Sequence, residues 1–514
     1  MPETKKDKRM LIGVNTFESD IVNDAPVFLR VAGNGDNLDY AVVHFDPNTD
    51  TVSGSFETAE KTASKLKELN LRFISNFEFQ NFSIDSKGKD GYEWANRKDG
   101  THLLNLPDGY IGKLASKGNY DGLMYDEFEH VIVNRNLSLE LASKGKIKKS
   151  AFPLLDYSDV LKQGDLLDSQ LREYADSIKN QGAPAMCGEH VFPVLFHRFA
   201  SNGITPNFKS QKESYSNIQF AIAAGAALEY GTELFNCVDL WFRMTNPGHS
   251  PNEMYHNLVF AYLSGVSRVY VESCHAFSDA SSGQGVLNEY GKTFINFCKS
   301  YKGKERDYDI SDFRPEIGII RYDDTFWGQC DPVAWKPMLF GNKLIKPDYR
   351  AGEYLKVFNL LSHGETCKNG LSWDRISPWS LRPHRSFASL NSTAVFDDRV
   401  GRDVLESLKL CFLCGYHISD ETLSAVNSLV KENGLVCVTT KRFAPAAIAL
   451  KAEGSYSEIE SGKGKWIIVK SFEEKKLRNA VLPFIGKKGE MRLTFRNRTV
   501  RMKISPNGEA FTVI

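Results

Sequence analysis

No surplus of either charge sign, no long apolar run, no regular cysteine spacing, no internal repeat and no low-complexity stretch occurs in this sequence. Each absence excludes something. Lys+Arg and Asp+Glu both number 64, which leaves no formal net charge. Neutralising nucleic-acid phosphates takes a basic surplus or stripe, so no nucleic-acid partner is expected; the short run at 144–149 reads as a solvated face. No segment has the roughly 20 apolar residues that span a bilayer, and the polar residues 1–9 carry no signal-peptide core. No membrane partner is expected. Localisation stays open between the cytoplasm and, if a leader has been removed, the periplasm or the exterior. Nine cysteines are scattered, and no second CxxC answers Cys411 and Cys414. They read as buried thiols rather than as disulfides or a zinc site. Gly33-Asn34-Gly35 lacks the third glycine and the helix of a dinucleotide fingerprint, and no HxH or HExxH occurs. Neither a cofactor nor a metal is expected.

What is present is an ordinary globular composition with 12% aromatics over 514 residues, more than one core usually holds. Strand-like runs begin near residues 10, 39, 71, 120, 184, 234 and 268, with residues 27–31 a further candidate that would shift the count. Helical stretches at about 55–69, 157–180, 211–230 and 251–264 alternate with them, which is the order of a parallel sheet with helices outside. The stretch 77–119 is too long for a plain connection and reads as one wall of a site. Its aromatics include Trp94.

The run 120–130 ends abruptly in Asp126, Glu127, Glu129 and His130. Later strand-like runs end likewise, in Glu189 with His190, in Asp239 followed by Trp241, and in Glu272. Parallel barrels carry their active sites at the carboxyl ends of the strands. One acid there is readily a helix cap, but four in phase point to chemistry. Candidate catalytic residues are therefore Glu127, Glu272, Asp126 and Glu189. Candidate substrate-binding residues are Asp239, His130, His190, His249, Trp94, Trp241 and Asn76. A mononuclear metal site from Asp126, Glu129, His130, Glu189 and His190 has suitable donors but no supporting spacing, and Cys187 or Cys274 as nucleophile is outweighed by simple burial.

Beyond about residue 313, strands near 317, 410 and 436 and a capped helix from 419 describe a small doubly wound unit. It lacks a nucleophile elbow or phosphate loop, which suggests a structural or oligomerising role. The loop 373–391, with Arg382 and His384, is placed to reach the barrel mouth. From about 462 the chain alternates as an antiparallel module would. The expected architecture is α/β: a (β/α)8 TIM barrel over 10–312, a flavodoxin-like α/β domain over 313–450 and a small antiparallel β domain over 451–514.

Paired carboxylates flanking a bond are what glycoside hydrolysis requires. At this point the chain resembles the clan A glycoside hydrolases, with Glu127 ending the fourth counted strand and Glu272 the seventh. Its layout, and the run 418–423 through 434–436, is similar to family 42 β-galactosidases, although Asp126 stands where the clan usually has Asn. The resemblance implies a carbohydrate substrate, Glu127 as acid/base, Glu272 as nucleophile and retention of configuration. The alternatives are an inverting glycosidase using Asp126, Glu189 or Asp239, and a carbohydrate-binding barrel without turnover. A binding protein, however, has no need of several acids in one mouth. A homo-oligomer through the flavodoxin-like domain completes the expected partners.

Overall fold

A computed structural model of the protein describes residues 8–45, 55–77, 84–87, 91–94, 106–126, 159–190, 195–211, 215–240, 249–279, 281, 283–323, 325–326, 338–339, 349–366 and 386–514. Eight parallel strands close into a barrel: β1 (Leu11–Phe17), β2 (Tyr40–His44), β3 (Arg72–Asn76), β4 (Tyr120–Tyr125), β5 (Met186–His190), β6 (Thr205–Ser210), β7 (Phe235–Asp239) and β8 (Arg268–Glu272), with β8 hydrogen-bonded back to β1. Buried on both faces, such strands show as continuous apolar runs rather than as alternation. A helix follows each: α1 (Pro26–Ala32), α2 (Phe56–Glu68), α3 (Tyr110–Ala115), α4 (Val160–Asn180), α5 (Phe196–Ser201), α6 (Ser216–Tyr230), α7 (Pro251–Leu263) and α8 (Glu289–Tyr301).

Two sequence expectations are corrected. Residues 27–31 form α1, not a strand: Pro26 sits at its first positions, and Val27, Phe28, Val31 and Ala32 make one buried face. The uncounted strand is β6, which carries Pro206 and Lys209 and has no apolar run. Glu272 therefore ends the eighth strand rather than the seventh, and Asp239 ends the seventh. The expected helix 211–230 begins only at Ser216.

The second sheet contains β9 (Ile317–Ile320), β10 (Thr393–Phe396), β11 (Leu410–Leu413), β12 (Val436–Thr439), β13 (Tyr456–Ser461) and β14 (Gly464–Val469), in the order β10-β9-β11-β12-β14-β13. Its first five members are parallel. With β13 as an antiparallel edge, this is the flavodoxin order. Residues 465–469, expected in the terminal antiparallel module, are β14 and pair in parallel with β12. The terminal antiparallel sheet is β15 (Glu490–Phe495), β16 (Arg498–Ile504) and β17 (Phe511–Val513).

Helix α6 is shared by the barrel and the second sheet. Its residues from Ser216 to Ala227 are all buried, as expected of a helix that is apolar all round. Asn217 donates to the Ala388 carbonyl (2.6 Å) and accepts from its N–H (3.1 Å). A methyl at Gly225 would lie 1.6 Å from the Val395 carbonyl oxygen of β10, so only glycine fits that approach. One hydrophobic core runs through both sheets, while Tyr40, Val42, Ile74, Met124, Cys187, Phe235, Cys237 and Tyr270 fill the barrel interior. Among the described residues no helix is long and apolar enough to cross a membrane.

Candidate active site

Inward-facing positions alternate along a barrel strand, so the apolar interior at Met124, Cys187, Cys237 and Tyr270 is succeeded two residues later by Asp126, Glu189, Asp239 and Glu272. Adjacent strands hold these in register, with Glu272 beside Asp239 and Glu189 beside Asn207. At their centre is a residue that sequence reasoning missed. Lys209 of β6 places its Nζ 2.9 Å from Asp126 Oδ1, 3.1 Å from Glu189 Oε1, 3.0 Å from Glu272 Oε2 and 3.4 Å from Asp239 Oδ2. Asp126, Glu189 and Lys209 are fully buried and Asp239 nearly so, whereas the Glu272 side chain is 22% exposed. Glu272 is thus the acid a ligand at the mouth meets most directly.

The supporting contacts lie one layer deeper. Tyr270 donates a short hydrogen bond to Glu189 Oε2 and accepts one from Asn207 (2.9 Å). The Cys237 thiol faces Glu272 Oε2 at 3.5 Å. Burial pushes the Glu189 carboxyl up to about 7, against the pull of Lys209 and the Tyr270 hydrogen bond and with added repulsion from Glu272. Burial also works against the Lys209 charge, but attraction from Asp126, Glu189, Glu272 and Asp239 reverses it and holds the ammonium well above the usual lysine range. Among the described residues four carboxylates face one ammonium, and the Glu189 carboxyl titrates near neutral pH.

Asn76, an expected substrate ligand, is fully buried: its Oδ1 accepts the Asp126 N–H (3.4 Å) and its Nδ2 faces His44 Nε2 (3.4 Å). His44 in turn stacks on Phe17 with ring centroids 4.9 Å apart, and Phe17 faces His275 at 5.6 Å. This aromatic wall at the ends of β1, β2 and β8 was not anticipated. His249 is buried and pairs through Nδ1 with Glu253 Oε2 (2.8 Å), whose other oxygen accepts from Ser386 (2.6 Å). Ser386 in turn donates its N–H to the Gly508 carbonyl, between β16 and β17, so this pair lies against the terminal antiparallel sheet. Glu127, Glu129, His130, Trp241, Arg382 and His384, and the side chains of Trp94 and His190, lie outside the described residues, as does much of 77–119 and of the loop 373–391.

The chemistry of the other donors is also constrained. Glu189, Cys237 and Glu272 have ligand atoms within 4.8 Å of one another, but the Lys209 ammonium already contacts both acids, so the cation position is taken. Burial raises the Cys187 thiol far above its usual range and the Cys274 thiol up to about 12, which leaves neither a thiolate nucleophile. The described cysteines are all free and buried.

The fold is thus of a definite class: a TIM barrel with an acid-lined mouth, a flavodoxin-order sheet and a small antiparallel sheet. Solved structures similar to it over nearly the whole chain include β-galactosidases. The enzyme from the psychrophilic Marinomonas ef1 matches with a TM-score of 0.60 at 10% identity over 96% of this chain and 95% of that one. The enzyme from Bacillus circulans sp. alkalophilus matches with 0.56 at 11% identity over 97% and 93%. The GH42 β-galactosidase Gan42B gives 0.53 at 10% identity over 97% and 93%. At such identities it is the fold that is shared. No family model and no curated protein matches the sequence.

Proposed function

We propose that this protein is a glycoside hydrolase acting on a glycan or oligosaccharide. The observation that carries the reading is the convergence of Asp126, Glu189, Asp239 and Glu272 on one point at the carboxyl ends of the barrel strands. Glycosidic cleavage passes through an oxocarbenium-like transition state. A mouth lined by these acids stabilises that developing cation, because fixed charges in a water-poor site act strongly on charge that appears during reaction.

Glu272, partly exposed and held against Lys209, is the ionised partner that attacks the anomeric carbon. Glu127, next in sequence to Asp126, is the proton donor to the leaving oxygen. Asp239 competes with Glu272 for the first role, because it ends the seventh strand, where the clan A resemblance puts the nucleophile. Retention, the outcome the clan A resemblance implies, uses a carboxyl separation of about 5 Å, against roughly 6.5–9.5 Å for inversion.

The full-length protein is incubated with a panel of aryl glycosides, aryl β-galactosides among them, and with natural glycans, and reducing sugar and aglycone release are followed. Turnover that disappears in Glu272→Gln or Asp239→Asn supports the proposal. Binding of a glycan without release of product across the whole panel would replace it with a carbohydrate-binding barrel.

A further inference from the structure

The hydrolase reading needs acids, yet the charge they converge on is a fully buried cation. We propose that Lys209 is a positioning residue: its ammonium acts as a built-in cation that gathers Asp126, Glu189, Asp239 and Glu272 onto one point and offsets their mutual repulsion. Its effect on turnover rests on the hydrolase reading. Its effect on protonation does not.

The geometry supports this directly. All four carboxylates place an oxygen within 2.9–3.4 Å of Nζ. A lysine ammonium is a compact point charge with three rotatable donors, whereas the planar fork of arginine matches one carboxylate at a time. Among the described residues the groups facing Nζ are Asp126 after β4, Glu189 on β5, Asp239 on β7 and Glu272 on β8. In the layer below, the thiols of Cys187 and Cys237 and the Tyr270 hydroxyl are all pushed up by burial and stay neutral. Among the described residues Lys209 is therefore the cation that these four acids share. Carboxylates crowded together without a counter-charge take up protons, and protonated acids can serve neither as nucleophile nor as stabiliser of a cationic transition state. The same ammonium occupies the point at which Glu189, Cys237 and Glu272 could otherwise hold a metal ion. In this barrel a side chain does what a bound divalent cation does elsewhere, and it cannot dissociate.

The test is the titration of the buried carboxyls in the intact protein, read by carbon NMR of labelled Asp and Glu side chains, with kcat and KM against pH on any aryl glycoside that is cleaved. Wild type should show two buried carboxyls titrating near neutral pH, Glu189 and Glu229, and the one lost in Glu189→Gln is that of the mouth. In Lys209→Met that titration should move up by about 1–3 pH units, the usual effect of losing an opposite charge at this range, and kcat should fall far more than KM changes. Lys209→Arg should restore most of the titration but not kcat. If Lys209→Met does not fold, Lys209→Met/Glu272→Gln removes one negative charge with the positive one, and the Glu189 titration should still rise, since Lys209 acts on it more strongly than Glu272 does. An unshifted titration in either folded variant overturns the proposal, whatever the activity. Conversely, a wild-type enzyme that cleaves nothing removes the hydrolase reading and leaves the role of Lys209 decided by the spectra.

Discussion

The barrel mouth and the carboxyl edge of the flavodoxin-order sheet are the two places where folds of this kind hold ligands, and here they are furnished differently. At the sheet edge, Glu353 and Asp323 are matched to arginines, while Asp397 and Asp398, directly after β10, repel each other, and burial with that repulsion pushes Asp398 up to about 9. Glu353, at the start of helix α9 (Glu353–Leu361), accepts the Gly415 N–H (3.0 Å) and pairs with Arg442 (3.1 Å). Asp323 accepts from the N–H groups of Leu195 (3.2 Å) and His197 (3.3 Å) and pairs with Arg321 (3.1 Å), while Arg198 donates to its carbonyl (2.6 Å) and to Asp168 (2.9 Å). These partners hold Asp323 well below the usual carboxylate range even though burial opposes its charge. At the mouth, the described residues set one ammonium among four acids. Matched buried charge fixes one element against another; acids gathered on a shared cation hold a field that a substrate can use.

The largest effect that would sharpen this contrast is catalytic. Glu272→Gln should abolish turnover on every aryl glycoside. Glu127→Gln should lower kcat/KM by about 10²–10⁴-fold on substrates with poor leaving groups and least on good ones, which need little protonation. Near-normal turnover by Glu272→Gln, measured beside Asp239→Asn, would move the nucleophile to Asp239.

Next comes the matched side. Asp323→Ala takes the carboxylate from buried Arg321 and from the N–H groups of Leu195 and His197, and should cost about 3–5 kcal/mol in denaturant unfolding. An unchanged midpoint would mean that the sheet edge is not a charge lock. A smaller loss, about 1–3 kcal/mol, is expected for Gly225→Ala, because the methyl overpacks against the Val395 carbonyl.

The smallest effect concerns pH. The carboxyls of Glu189 and Glu229 are both raised to about 7, chiefly by burial. The folded protein therefore binds more protons than the unfolded chain between about pH 4.5 and 7. Their contribution to stability is greatest below that window and declines as pH rises through it, by at most about 1.4 kcal/mol per pH unit for each group. Glu189→Gln should flatten the fall of Tm with pH, and an identical slope in the variant would contradict the assignment.

The sequence exposed the acids of the mouth because each closes an apolar run, and a run that stops at a carboxylate is visible without coordinates. Lys209 was hidden for the opposite reason. The segment Thr205-Pro206-Asn207-Phe208-Lys209-Ser210 has one large apolar side chain, a proline and a cation, all of which argue against a buried strand. Its burial follows from neighbours that are far away in sequence. Residues 27–31 misled through β-branched content in a helix that tertiary packing stabilises. The flavodoxin-like unit was legible from its strand-helix order, but β14 was not, because alternation inside a parallel sheet with a solvated end looks the same as in a hairpin. His44 and Phe17 carry no motif at all, and only the closing of β8 onto β1 gives them a common wall with His275.

The close approach of α6 to β10 also orders events during synthesis. The helix that follows the Lys209 strand cannot finish burying its outer face until Val395 has been made, some 170 residues after Gly225 has left the ribosome. Until then the nascent barrel presents an apolar, alanine-rich helix to solvent, the kind of surface on which chaperones act and aggregation begins. The flavodoxin-order sheet is thus the barrel's missing wall as well as its neighbour, and the chain matures its acid-lined mouth only late in its own translation.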